Sequence, residues 1–220
     1  MKSDSQLRAD VLKELKWEPS IEESEVGVVA KDGVVTLTGY VESYAQKYAA
    51  ERAAERVSGV RAIAADLKVK LPSSRERTDT DIAHTAVTAL DWDIEVPAGI
   101  KAKVENGWIT LEGAVEWQFQ KESAARVVRY LTAVRGVTNL ISVKPKHASP
   151  FEVGQKIKDA LRRSAELDAN RVTVEAANGR VTLKGTVRSW AERLDVERAA
   201  WAAPGVTQVD DRLAIALLAG

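Results

Sequence analysis

Few side chains in this 220-residue chain are equipped for chemistry. There is no cysteine, and there are two histidines, His84 and His147. Thiolate nucleophiles, disulfides, Cys-ligated zinc and iron–sulfur clusters are excluded, and a multi-histidine metal site within one chain is not expected. Each histidine stands alone, His84 in an amphipathic segment and His147 in a proline-bounded linker. Serines cluster at helix caps and linkers, carboxylates are scattered, and no glycine-rich phosphate loop occurs. The expectation is no catalytic residue, no metal site, no cofactor and no enzymatic activity. Asp91-Trp92-Asp93 and Asp210-Asp211 supply oxygen ligands for a small-ligand or ion sensor, the third-ranked reading.

The elements that position these residues repeat three times. Asp32-Gly33, Asn106-Gly107 and Asn178-Gly179 are each followed by a run with a threonine, a leucine and a second glycine: Gly39, Gly113 and Gly185. The period is about 72 to 74 residues, the size of a domain. Asp-Gly or Asn-Gly between alternating apolar residues signals a type I′ hairpin, so all six glycines are read as structural. Ser43-x-x-Gln46 and Ser189-x-x-Glu192 fit a capping box that opens a helix, whereas the second copy has Trp117 in place of the serine. Apolar spacing adds a helix before each hairpin, marked by Leu7, Val11 and Leu15, then Ile82, Ala86 and Leu90, then Ile157 and Leu161. A closing strand follows each second helix, containing Leu67 and Val69, then Leu140, Ile141 and Val143, then Leu213, Ile215 and Leu217. Just before it, Gly59 and Gly205 align with Ala133, while Gly136 reads as a separate loop glycine.

The fold class is therefore α+β: three tandem αββαβ domains, each a three-stranded mixed sheet covered on one face by two helices. The boundaries fall at 1–71, 79–146 and 150–220, with polar or proline-marked linkers between them.

Lys plus Arg and Asp plus Glu each total 32, so the formal net charge is zero, and no nucleic acid partner is expected. The opening residues Met1–Asp10 hold no apolar run, and no stretch approaches the roughly 20 apolar residues that cross a bilayer. A cytoplasmic location is expected, or a periplasmic one if a leader was removed.

Six tryptophans against two phenylalanines is an unusual balance. Trp108 aligns with Val34 and Arg180, a position that accepts charge, and Trp117 aligns with two cap serines. Tyr44 and Trp190 share the next position with Gln118. Tyr44, Trp108, Trp117 and Trp190 are thus the candidate lipid or partner surface; the alternatives are contacts between the domains or self-association into a homo-oligomer.

The hairpin with Asp-Gly or Asn-Gly, the following V-x-L-x-G-x-V type run, and the helix that leads to Gly59-Val60 or Gly205-Val206 resemble the BON domain, three times over. The second copy is the nearest match, through Val115-Glu116-Trp117-Gln118-Phe119-Gln120 and Val134-Arg135-Gly136-Val137-Thr138-Asn139-Leu140. The resemblance implies an αββαβ fold, no enzymatic activity, binding of phospholipid or other ligands, and a link to envelope or osmotic stress.

Overall fold

In the computed structural model the described residues are 2–21, 25–145, 153–163 and 171–216. The chain packs into two compact units, one holding 2–115 with 119–142 and the other 116–118 with 143–220. The first repeat runs α1 (Asp4–Trp17), β1 (Val26–Lys31), β2 (Val34–Val41), α2 (Tyr44–Arg56), β3 (Ala62–Val69). The second runs α3 (Asp79–Trp92), β4 (Lys101–Glu105), β5 (Trp108–Glu112), β6 (Ala114–Val115), α4 (Gln118–Arg129), β7 (Gly136–Asn139), β8 (Ser142–Val143). The third runs α5 (Val153–Arg163), β9 (Val172–Ala177), β10 (Arg180–Val187), α6 (Trp190–Trp201), β11 (Gln208–Ile215). The sheets are ordered β1-β2-β3, β4-β5-β7 and β9-β10-β11, with β6 and β8 paired separately. Each middle strand is antiparallel to its hairpin partner and parallel to the closing strand. This is the α+β class expected from the sequence.

The hairpin turns carry positive φ at both residues: 50° and 80° at Asp32-Gly33, 53° and 76° at Asn106-Gly107, 50° and 79° at Asn178-Gly179. That is the type I′ geometry, whose twist matches the flanking strands. In the first two repeats the helix start is bonded to the tip. The Asp4 carboxylate accepts the Asp32 N–H at 3.0 Å, and the Asp79 carboxylate accepts those of Asn106 and Gly107 at 2.7 and 2.8 Å. Gly39, at φ 116°, marks a close approach, because a Cβ there would stand 2.0 Å from the Glu25 carbonyl oxygen. Ser43 and Ser189 cap α2 and α6, but the return bond from Gln46 and Glu192 goes to the residue before the cap, Glu42 and Arg188.

Cores lie between each sheet and its helices. Leu7, Val11 and Leu15 of α1 meet Val35 and Leu37 of β2 and the alanines Ala50, Ala53 and Ala54 of α2, whose small side chains admit close helix–sheet contact. Ile157, Leu161, Val181, Leu183, Val196 and Leu213 fill the third repeat. Ile82, Leu90, Ile109, Leu111, Val128 and Ile141 are among the buried residues of the second.

The second repeat departs from the expected pattern in three places. Its closing strand is not continuous: β7 stops at Asn139, Leu140 turns outward, and β8 resumes at Ser142. The Asn139 side chain occupies the break, donating to the Lys121 carbonyl at 2.7 Å and accepting the Ile141 N–H at 3.2 Å. Gly136 is not a loop glycine but the first residue of β7, opposite Trp108. Ala133 is buried at φ 69°, where Gly59 and Gly205 sit at 100° and 87°. His147 and Leu217 lie outside the described residues.

The first two repeats meet inside the larger unit. The guanidinium carbon of Arg129, at the end of α4, lies 3.4 Å from the centroid of the Tyr48 ring on α2. The Arg129 Nε is buried, and no hydrogen-bond partner for it stands among the described residues. Burial pushes the Tyr44 phenol up, against the pull of the Arg129 charge and a hydrogen bond with the Val137 backbone. Burial likewise pushes the Glu51 carboxyl up, partly opposed by Lys47 and Arg129.

Candidate surface-contact site

The outer face of α3 departs from ordinary surface chemistry. Thr78 and Asp81 close a capping box at its start, and burial of Ile82, Ala86 and Leu90 fixes which side faces the core. The segment Asp79–Trp92 contains no Lys or Arg. By contrast, α1 carries Arg8, Lys13 and Lys16, and α5 carries Lys156, Lys158, Arg162 and Arg163. What α3 turns outward is Thr80, Asp81, His84, Thr85, Val87, Thr88, Asp91 and Trp92. Two threonine hydroxyls are turned back onto the helix: Thr85 donates to the Asp81 carbonyl at 2.8 Å and Thr88 to the His84 carbonyl at 3.0 Å. With their polar groups bonded internally, these threonines behave toward a partner as largely apolar surface. His84, Thr85, Thr88, Ala89 and Trp92 line one shallow recess along the helix.

The face ends in a protruding tip. Trp92 is 86% exposed, Ile94 is 100% exposed, and Val87 one turn back is half exposed. The tip is braced from behind. Asp93 accepts the Glu95 N–H at 2.9 Å, and Glu95 accepts Arg126 at 2.8 Å and the buried Ser123 hydroxyl. Trp17, at the matching end of α1, is 83% exposed. Both tryptophans follow the last core leucine by two residues, about 200° around a helix, which points them away from the core. That spacing is the sequence signal for them, although neither is among the candidate surface aromatics and Trp92 is named only within the acidic run Asp91-Trp92-Asp93.

The four aromatics singled out occupy varied surroundings. Trp108, 47% exposed, covers Gly136 on the open face of its sheet, and its indole donates to Thr138 at 2.8 Å. Tyr44 is half-buried where the first two repeats meet. Trp117 is half-buried just before α4. Trp190 is half-buried at the start of α6 with the Arg193 guanidinium 5.4 Å from its ring, and Arg193 pairs with Asp211 at 2.6 Å. Asp210 is paired with Arg212 at 2.7 Å, so both acids of that run are engaged by arginines. Among the described residues, no helix is long and apolar enough to cross a membrane.

Comparison with known proteins agrees with the repeat. Residues 3–70, 78–145 and 152–216 each match the BON domain. The chain belongs to the BON domain family. Among curated BON relatives, the osmotically-inducible protein Y of Escherichia coli (strain K12) is 30% identical over 157 residues, which is 66% of this chain and 78% of that protein. Two solved structures align over most of their length. One is CdsD, a structural protein of the type III secretion system of Chlamydia trachomatis, at 16% identity over 94% of this chain and 91% of that one, with a TM-score of 0.27. The other is its C-terminal domain, at 15% identity over 98% and 100%, also with a TM-score of 0.27.

Proposed function

We propose that this BON protein is a non-catalytic binding protein that associates with phospholipid surfaces through the outer face of α3 and its Trp92–Ile94 tip, in a role tied to osmotic or envelope stress. The observation that carries the reading is a base-free helical face ending in a fully exposed isoleucine beside an exposed tryptophan. A protruding apolar tip suits a fluid apolar medium, and tryptophan suits the boundary between that medium and water, where Asp91 and the Arg126 pairs with Asp93 and Glu95 stay hydrated. The zero net charge fits an apolar mode rather than an electrostatic one. The stress role is supported by the name of the osmotically-inducible relative.

Flotation of the full chain with phosphatidylglycerol-containing vesicles tests this. Binding is expected to survive added salt, because little of it comes from screened charge. The double variant Trp92→Ala, Ile94→Ser is expected to lose about tenfold or more, since burying an isoleucine alone contributes ~1.5–3 kcal/mol. Failure of the wild type to float would overturn the reading. So would a concentration-dependent mass by light scattering that disappears in the double variant, which would assign the face to a second copy of the chain. Trp108→Ala in the same assay measures any contribution from the open sheet face.

A further inference from the structure

We infer that His84 makes association through the α3 face pH-dependent, strengthening it on anionic surfaces as the pH falls. The inference rests on the lipid reading above and adds its regulation. His84 is exposed and lines the same recess as Trp92, so both meet whatever covers that strip. It is the one side chain of α3 able to become a cation, because the segment Asp79–Trp92 has neither Lys nor Arg. The fixed charges along the exposed side are both negative: Asp81 toward the helix start and Asp91 two turns beyond His84. Asp81 is held below its ordinary value by hydrogen bonds from Thr78, with smaller contributions from Arg77 and His84. It therefore keeps its charge through the range in which histidine titrates. Among the described residues the recess is lined by α3 side chains alone, and the charged groups of the same stretch are Arg77, Asp79, Asp81 and Asp91.

With His84 neutral, the face offers an anionic lipid only apolar contact and two repelling carboxylates. With His84 protonated, the strip carries a cation at headgroup level behind the Trp92 anchor. An anionic surface favours a cationic side chain over a neutral one. The gain is present below the histidine range and lost as the pH rises through it.

The test is binding of the full chain to phosphatidylglycerol-containing and to pure phosphatidylcholine vesicles at about pH 8 and about pH 5, which bracket histidine titration. On the anionic vesicles the wild type is expected to bind about fivefold tighter at the lower pH, the increment one basic side chain supplies at such a surface. The neutral vesicles should show no such change. His84→Gln should remove the pH dependence while keeping binding at the higher pH, and His147→Gln should leave the dependence intact. The inference is overturned if His84→Gln retains the dependence, if His147→Gln abolishes it, or if neutral vesicles show it equally. Absence of wild-type binding at either pH would instead remove the lipid reading and this inference with it.

Discussion

Trp108 and Gly136 have to be understood together. They face each other across the β5–β7 ladder, and a Cβ on Gly136 would stand 2.3 Å from the indole. Gly136→Ala is therefore expected to cost about 1–3 kcal/mol by overpacking. Most of that loss should vanish in a Trp108→Ala background, a non-additivity that urea denaturation of the four-member cycle would measure. Ala133 shows the opposite pattern, a side chain kept at a φ of 69° where its two counterparts are glycines. The alignment made Ala133 visible as a substitution, but not the backbone geometry that it must adopt. Nor could spacing reveal the role of Gly136, which depends on a ring 28 residues away reached through strand register.

At the level of elements, the turn and helix signals were largely legible. Asp-Gly and Asn-Gly dictated their turns because the required φ values exclude most other residues. The stripes Leu7, Val11, Leu15 and Ile82, Ala86, Leu90 dictated which side of each helix is buried. The break after β7 was not legible, because the Asn139 side chain supplies bonds that a strand pattern assigns to the backbone. The capping of α3 carries its own pH signature. Hydrogen bonds from Thr78 hold the Asp81 carboxyl below its ordinary 3.8. The stability contributed by its charged form is present above that ordinary value and lost as the pH falls through the lower, folded one. Asp81→Asn should thus flatten the acid limb of the stability profile, read as the urea midpoint between neutral pH and about pH 3.

At the scale of the whole molecule, the contact of Arg129 with Tyr48 joins the first two repeats. It was invisible in the sequence, because Arg129 aligns with Glu55 in the first copy and Trp201 in the third, so the repeat pattern gives it no distinguishing mark. Arg129→Ala is expected to remove about 0.5–2 kcal/mol of coupling and to raise amide exchange in α2 around Tyr48. Lysine at the same position should not restore it, because an ammonium lacks the planar group that stacks on a ring. The three similar registers also bear on how the chain avoids misassembly. Each repeat is completed by a parallel strand that follows its second helix, so a nascent or unfolded chain presents three competing strands for each unfinished sheet. Opposite the position of Trp108, the other closing strands carry Ala62 and Gln208 in place of glycine. Exchange of either into the second sheet would drive a side chain into the indole, so the fit of Trp108 over Gly136 disfavours both exchanges.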